Sequence, residues 1–419
     1  MTKYKINIKN LDNIGISLLF GEPVVFHCNH YNLFLQRTIE DASEYIPSEQ
    51  ILTDGGAISI YAMLKQLFNQ NSQYSMANKR LSIASYIYSY LGFGLLDLSS
   101  LSEEGGSITT PVTHYSYAWK QKWGQRDKPV DFFTCGFIQA AAAIAFGKPI
   151  NYYHVQQSKC VSMGAEENQF EIKRNPNPRV LPVSPGSGVN VLQQREVAKI
   201  ATNLDEKGIT ETIRGLELIG NADGLIPAFG VYLTRHFANY YNYISYEMVR
   251  YITQETGEPD LARDLLIEAG HGCAFNTFGG IMKSDEWAGM IEPNCKTKED
   301  WASGIIAVAN AFGWGYWAIQ ELLPGESMKL AVDGSYESNG YLGAYGQSDS
   351  PIGFLLTGGA AGLMNLLYHG DITEKPELNA EYYDSLFSSD KSFIGTQTHC
   401  RAKGDTLCEV SVNRLDISE

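Results

Sequence analysis

The strongest constraint on this 419-residue chain is that it is written twice. LGFG at Leu91 to Gly94 returns as FGWG at Phe312 to Gly315, 221 residues later. WGQRDKPVDFFTCGF, Trp123 to Phe137, returns as YGQSDSPIGFLLTGG, Tyr345 to Gly359, at an offset of 222. HYNLFL from His30 resembles HFANYY from His236. The hairpin-like SKCVSMGAEENQFEI, Ser158 to Ile172, matches THCRAKGDTLCEVSV, Thr398 to Val412, at an offset of 240. The extra residues fall in DITEKPELNAEYYDSLFSSDKS, a polar insertion of the second copy alone. Blocks recurring in one order at similar offsets indicate a tandem duplication, and internal repeats decide architecture before local propensity does. Between the copies, KRNPNPRVLPVSPGSGV (Lys173 to Val189) holds four prolines and two glycines, the composition of a connector. The expected domains are residues 1–173 and 191–419, with a linker over 174–190.

Each copy is expected to be α+β, helices with an antiparallel sheet, the two copies packing as an intrachain pseudo-dimer. NHYNLFLQRTIEDASEYI and LTRHFANYYNYISYEMVRYI have helical spacing over about five turns. GGAISIYAMLKQLF and DLLIEAGHGCAFNTFGGIM follow as second helices, then NKRLSIASYIYSYL and KEDWASGIIAVANAF as third. LLDLSS with SITTPVTHYS, and YWAIQELL with MKLAVDGSY, read as strands. Asp127-x-Pro129 and Ser350-Pro351 start a further helix that stops at Gly147 or Gly370. Three glycines in TGGAAG (357–362) suggest close backbone approach, to the partner helix across the pseudo-dimer or to a ligand.

The net charge of −15 argues against a nucleic-acid partner, which needs a clustered basic surface. No stretch reaches the roughly 18 apolar residues of a membrane span, and MTKYKINIKN lacks the apolar core of a secretory signal. Seven scattered cysteines do not resemble a secreted disulfide framework. The expected location is cytoplasmic.

With Gly164 and Gly404 at the hairpin tips, Cys400 faces Cys408 and Cys160 faces Asn168. Two thiolates so placed can share a tetrahedral metal, zinc or iron. They can equally pack as small hydrophobes, and a disulfide is disfavoured in a reducing compartment. Both the metal and the packing reading stand at this point.

The order Pro-x-x-aromatic, Gly-containing helix, Gly, then Cys-x3-Gly-x3-Cys resembles the 4-vinyl reductase domain. GSYES (Gly334 to Ser338) and IEAGHG (Ile267 to Gly272) add to the likeness, which covers most of residues 20–172 and 225–412. That module binds small hydrophobic molecules and serves as the sensor of phenol- and xylene-responsive activators. In those sensors zinc is held by four positions, which fall here on Asp131, Gln157, Cys160 and Asn168 in the first copy. In the second they fall on Gly353, Gln397, Cys400 and Cys408. Neither copy keeps the set. The chain has no G-x4-G-K-[ST] phosphate loop, so the nucleotide-hydrolysing part of those activators has no counterpart.

The resemblance implies a largely apolar ligand cavity. Candidate ligand residues are His30, His236, Tyr61, Trp119, Trp123, His271, Phe275, Trp314 and Trp317. Each aromatic can also be plain core, while His30 and His236 are singled out as equivalents in the two copies. His27 and His30 fall three apart on one helix face, a weak metal spacing. The expected function is binding of a small hydrophobic or aromatic ligand for sensing, carriage or delivery, with a further homodimer as an extension of the pseudo-dimer. The alternative is a metal- or haem-dependent enzyme acting on a tetrapyrrole or aromatic molecule, although no acid–base pair or nucleophile constellation is legible. A ligand-free scaffold of the vesicle-tethering kind is a third reading, marked by a large exposed apolar patch.

Overall fold

The computed structural model describes residues 4–186 and 197–415. Strands β1 (Ile8–Leu11), β2 (Ile16–Leu19) and β3 (Glu22–Cys28) lead into α1 (Asn29–Asp41), α2 (Ser48–Gln70) and α3 (Ala77–Tyr90). Then come β4 (Gly106–Thr110), α4 (His114–Trp123), α5 (Phe132–Ala145), β5 (Tyr153–Lys159) and β6 (Asn168–Arg174). The second half opens with α6 (Glu206–Gly215), β7 (Ile226–Ala228), β8 (Val231–Phe237), α7 (Ala238–Thr256) and α8 (Pro259–Cys273). A π-turn (Ala274–Phe278) links α8 to α9 (Gly279–Met282), followed by α10 (Asp285–Met290) and α11 (Lys298–Ala311). It continues through β9 (Tyr316–Leu323), β10 (Ser327–Asp333), α12 (Tyr336–Tyr345), α13 (Phe354–Met364), α14 (Ala380–Phe387), β11 (Phe393–His399) and β12 (Cys408–Arg414). Helices and antiparallel sheets together make the α+β class expected.

A five-stranded sheet, β1-β2-β3-β8-β7, crosses the halves, because β3 and β8 pair antiparallel with Val25 opposite His236. The other sheets stay within one half: β4-β6-β5 in the first and β11-β12-β10-β9 in the second. Helix packing crosses over too. Helix α1 lies on α8 and α7 lies on α2, while α5 backs α2 and α13 backs α8. The Phe26 amide donates to the Phe312 carbonyl at 2.8 Å, and the Arg235 amide to the Leu91 carbonyl at 2.9 Å. Gly94 bonds Gly224 at 2.9 Å and Gly315 bonds Gly15 at 3.2 Å in the same pairwise manner. Gly94 and Gly315 have φ of 111° and 117°, a region open to glycine and strained for other residues. One continuous apolar cluster runs through residues of both halves.

Several expectations are corrected. LTRHF, expected as the first turns of a helix, is the end of strand β8 (VYLTRHF); its apolar spacing suits both, and pairing with β3 decides. The helix starts at Ala238. His27 likewise lies in β3, so it does not share a helix face with His30. SITTPVTHYS is strand only to Thr110. Pro111 cannot donate to a ladder, and His114 begins α4. The TGGAAG approach is made inside one half: a Cβ on Gly358 would meet the Ile267 carbonyl and Gly270 of α8. Gly136 does the same in the first half against the Thr53 carbonyl of α2.

The connector is docked over its described part. Asn175 bonds the Tyr152 carbonyl at 2.8 Å and Arg179 pairs with Asp54 at 2.8 Å. The boundary drawn at 190/191 lies outside the described residues.

Candidate functional site

At the middle of the crossing sheet two histidines sit in aromatic boxes, each built from both halves. His27, next to last in β3, stacks on Trp314 at 4.7 Å and lies 4.4 Å from the Tyr31 ring. Its Nε2 is 3.5 Å from the Tyr336 hydroxyl. His236, next to last in β8, stacks on Tyr240 at 4.5 Å and meets Phe93 edge-on at 4.9 Å. Its Nε2 is 3.1 Å from the Tyr115 hydroxyl. Burial drives both imidazoles well below their ordinary pKa, so both are neutral at physiological pH. The boxes also differ at Nδ1. His236 Nδ1 accepts the Phe237 amide at 2.8 Å, whereas His27 Nδ1 has no hydrogen-bond partner among the described residues.

The counterpart of His236 is therefore His27, not His30. His30 is the second residue of α1, half-buried, with Nδ1 2.9 Å from Lys122 Nζ. Burial, then Lys122, lowers its pKa to about 3. The matched blocks HYNLFL and HFANYY are three residues out of register. The signal for the right pairing is on the sequence: His27-x3-Tyr31 repeats as His236-x3-Tyr240, and Phe93 precedes Tyr115 by the spacing that separates Trp314 from Tyr336.

The nine expected ligand residues fall into four places. His236, Trp314 and Trp317 are central; the Trp314 indole donates to the Phe26 carbonyl at 2.8 Å and the Trp317 indole to the Trp314 carbonyl at 3.3 Å. Trp119 and Trp123 lie 4.5 Å apart on α4, Trp119 beneath the Arg126 guanidinium at 4.0 Å, with His30 on neighbouring α1. His271 and Phe275 pack on Phe387 of the second-copy insertion at 5.2 and 6.2 Å. Tyr61 stands alone on α2 and lines a surface cleft.

The hairpins bring together the positions aligned with zinc ligands in the resembled family. In the first half Gln157 Nε2 donates to Asp131 at 2.7 Å and to Asn168 at 3.1 Å, and Asn168 donates to Ser116 at 3.1 Å. Thr113 completes the chain by donating to Asp131 at 2.6 Å. Burial raises the Asp131 pKa to about 6. Each of these groups has a protein partner, and Asn168 closes the hydrogen-bond network.

In the second half Ser338 Oγ touches both Cys400 and Cys408, at 3.6 and 3.0 Å. Both thiols are free. The hydrogen bond between them holds the Cys400 thiol below its ordinary pKa and Cys408 above it. The Gln397 side chain is turned to the Gly353 amide at 2.8 Å and the His399 carbonyl at 3.1 Å. No cluster of three or more His, Cys, Asp or Glu side chains suited to a metal occurs among the described residues. Two sulfurs and an engaged amide do not fit a four-ligand zinc site.

Two clefts border α2. One of about 790 Å³ has Glu49, Asp54, Gln139, Asn151, His154 and Arg179 on its walls. The other, about 660 Å³, lies under connector residues 181–186. Phe20, Ile58, Tyr61, Ile150, Leu181 and Val183 give it apolar walls. Its polar floor is Glu22, the first residue of β3, whose Oε2 accepts from Ser184 Oγ at 2.7 Å and from Asn239 Nδ2 at 3.0 Å. Burial lifts the Glu22 pKa to about 7. Sequence reading missed Glu22 because nothing in GEPVVF marks a buried acid; only the folded connector encloses it.

No family model matches the chain, and no curated protein matches it. Among solved structures it is similar to the crystal structure of the phenol-responsive sensory domain of the transcription activator PoxR with phenol. That likeness has 12% identity and a TM-score of 0.36, covering 51% of this chain and 92% of that one. Among the described residues no helix is long and apolar enough to cross a membrane.

Proposed function

We propose that this chain binds a small hydrophobic or aromatic molecule in the cleft beneath residues 181–186, for sensing, carriage or delivery. The observation that carries the reading is the lining itself. Aliphatic and aromatic side chains share the lining with one buried carboxyl group and with Lys65, Gln66 and Asn69, within a volume that lies in the range of ligand pockets. The cleft draws on β3, α2 and the connector from the first half, and on Gly343 of α12 from the second. Asn239 of α7 reaches its floor. A ligand there touches both halves, so its binding energy also favours their packing, which is how occupancy becomes a signal.

The companion proposal is that the halves are duplicated modules clasped as an intrachain pseudo-dimer. The crossed packing of α1 and α7, the matched amide bonds and the paired histidine boxes support it. On this reading the central boxes hold the halves together and the cleft serves the ligand.

Titration of the full chain with 2-phenylethanol, followed by calorimetry, tests the site. Saturable binding in the wild type, lost in Ala62→Trp, is expected, because Ala62 lines the cleft and an indole there fills it. Binding that survives Ala62→Trp places the ligand elsewhere.

A further inference from the structure

We propose that the cleft beneath residues 181–186 selects an organic ammonium, one positive charge on an apolar body, with Glu22 as its counter-ion; this rests on reading the cleft as a small-molecule site. Glu22 is buried and forms no ion pair with any described residue. Both of its hydrogen bonds come from neutral donors, Ser184 and Asn239, and both go to one oxygen, Oε2. A buried carboxylate without a cation is costly, and buried charges are otherwise paired.

The fold itself does not ask for an acid here. The first residue of β8, which occupies the corresponding place in its strand, is Val231. The charged and titratable groups that share the cleft are few. Lys65 on α2 lines it but is exposed and does not pair with Glu22, and Tyr61 lines it with its hydroxyl 3.4 Å from the Lys148 carbonyl. An ammonium in the cleft gains the carboxylate as its counter-ion. Neutral molecules of the same shape gain only the walls. The raised pKa of Glu22 agrees with a carboxylate that lacks its partner.

The test compares the 2-phenylethylammonium ion with 2-phenylethanol on the full chain by calorimetry. At about pH 8 the ammonium is expected to bind at least about tenfold tighter, the yield of one well-made charged hydrogen bond. Glu22→Gln should bring the two affinities together by weakening the ammonium at least about tenfold. A second measurement needs no variant. Between about pH 6 and 8 the ammonium stays protonated, so its affinity for the wild type should rise as Glu22 ionises, while that of the alcohol stays flat. Equal affinities, a preference that persists in Glu22→Gln, or a flat ammonium profile overturns the selectivity and leaves the cleft as a neutral site. Binding of neither probe overturns both readings.

Discussion

His236 Nε2 lies 3.1 Å from the Tyr115 hydroxyl, tying a strand of the second half to a helix of the first. Its counterpart, His27 with Tyr336, is stretched to 3.5 Å. Deleting the nearer hydroxyl strands an imidazole nitrogen in apolar surroundings. Tyr115→Phe is therefore expected to cost about 1–3 kcal/mol, and Tyr336→Phe less than about 1 kcal/mol. Urea denaturation of both variants checks this; equal losses would contradict the asymmetry between the boxes.

The close helix crossings give a second expectation. An added methyl on Gly136 or Gly358 meets backbone of the facing helix, so each Gly→Ala change should cost at least about 2 kcal/mol. Gly289→Ala, in α10 with no neighbouring atom within 4 Å, should be neutral or stabilising by up to about 1 kcal/mol. Thermal melts of the three variants separate packing from helix propensity.

These positions also mark what the sequence disclosed. Long helices such as α2 and α11 are legible because their apolar spacing persists over several turns; Thr297 and Asp300 even spell the capping box of α11. The swap of α1 and α7 onto the opposite halves was not legible, since periodicity says which face is apolar and not what covers it. The strand identity of VYLTRHF depended on β3, a partner some 200 residues away. For the same reason Glu22 is hidden in the sequence, whereas Tyr61, a large ring on an apolar helix, stands among the candidates and lines the same cleft. Spacing places Gln157 near Asn168, but only coordinates reveal that the two satisfy one another.

That network predicts a third result. Asn168→Ala removes an acceptor for the Val161 amide and Gln157 and a donor to Ser116. The expected loss is about 2–3 kcal/mol, since several buried groups become unpaired at once. Chemical denaturation with the 160–168 hairpin monitored by hydrogen exchange checks it; a loss under about 0.5 kcal/mol would mean that water replaces the side chain.

A fourth concerns pH. Glu337 accepts the Leu355 and Leu356 amides at 3.0 and 3.1 Å, yet burial outweighs these bonds and raises its pKa from 4.5 to about 7. The folded state thus holds this proton more tightly than the unfolded state does. Its contribution is complete below about pH 4.5 and fades as pH rises through about 7, a change on the order of 3 kcal/mol. Glu337→Gln should flatten that part of the stability profile relative to wild type. A variant with the wild-type slope would contradict the assignment.

Native mass spectrometry of the wild-type chain and Ala62→Trp, each as isolated and after exposure to the 2-phenylethylammonium ion, bears most directly on the central proposal. One small organic molecule per wild-type chain and none on the filled variant is the expected outcome. Equal occupancy of the two proteins, or an empty wild type after exposure, would contradict a ligand site beneath residues 181–186.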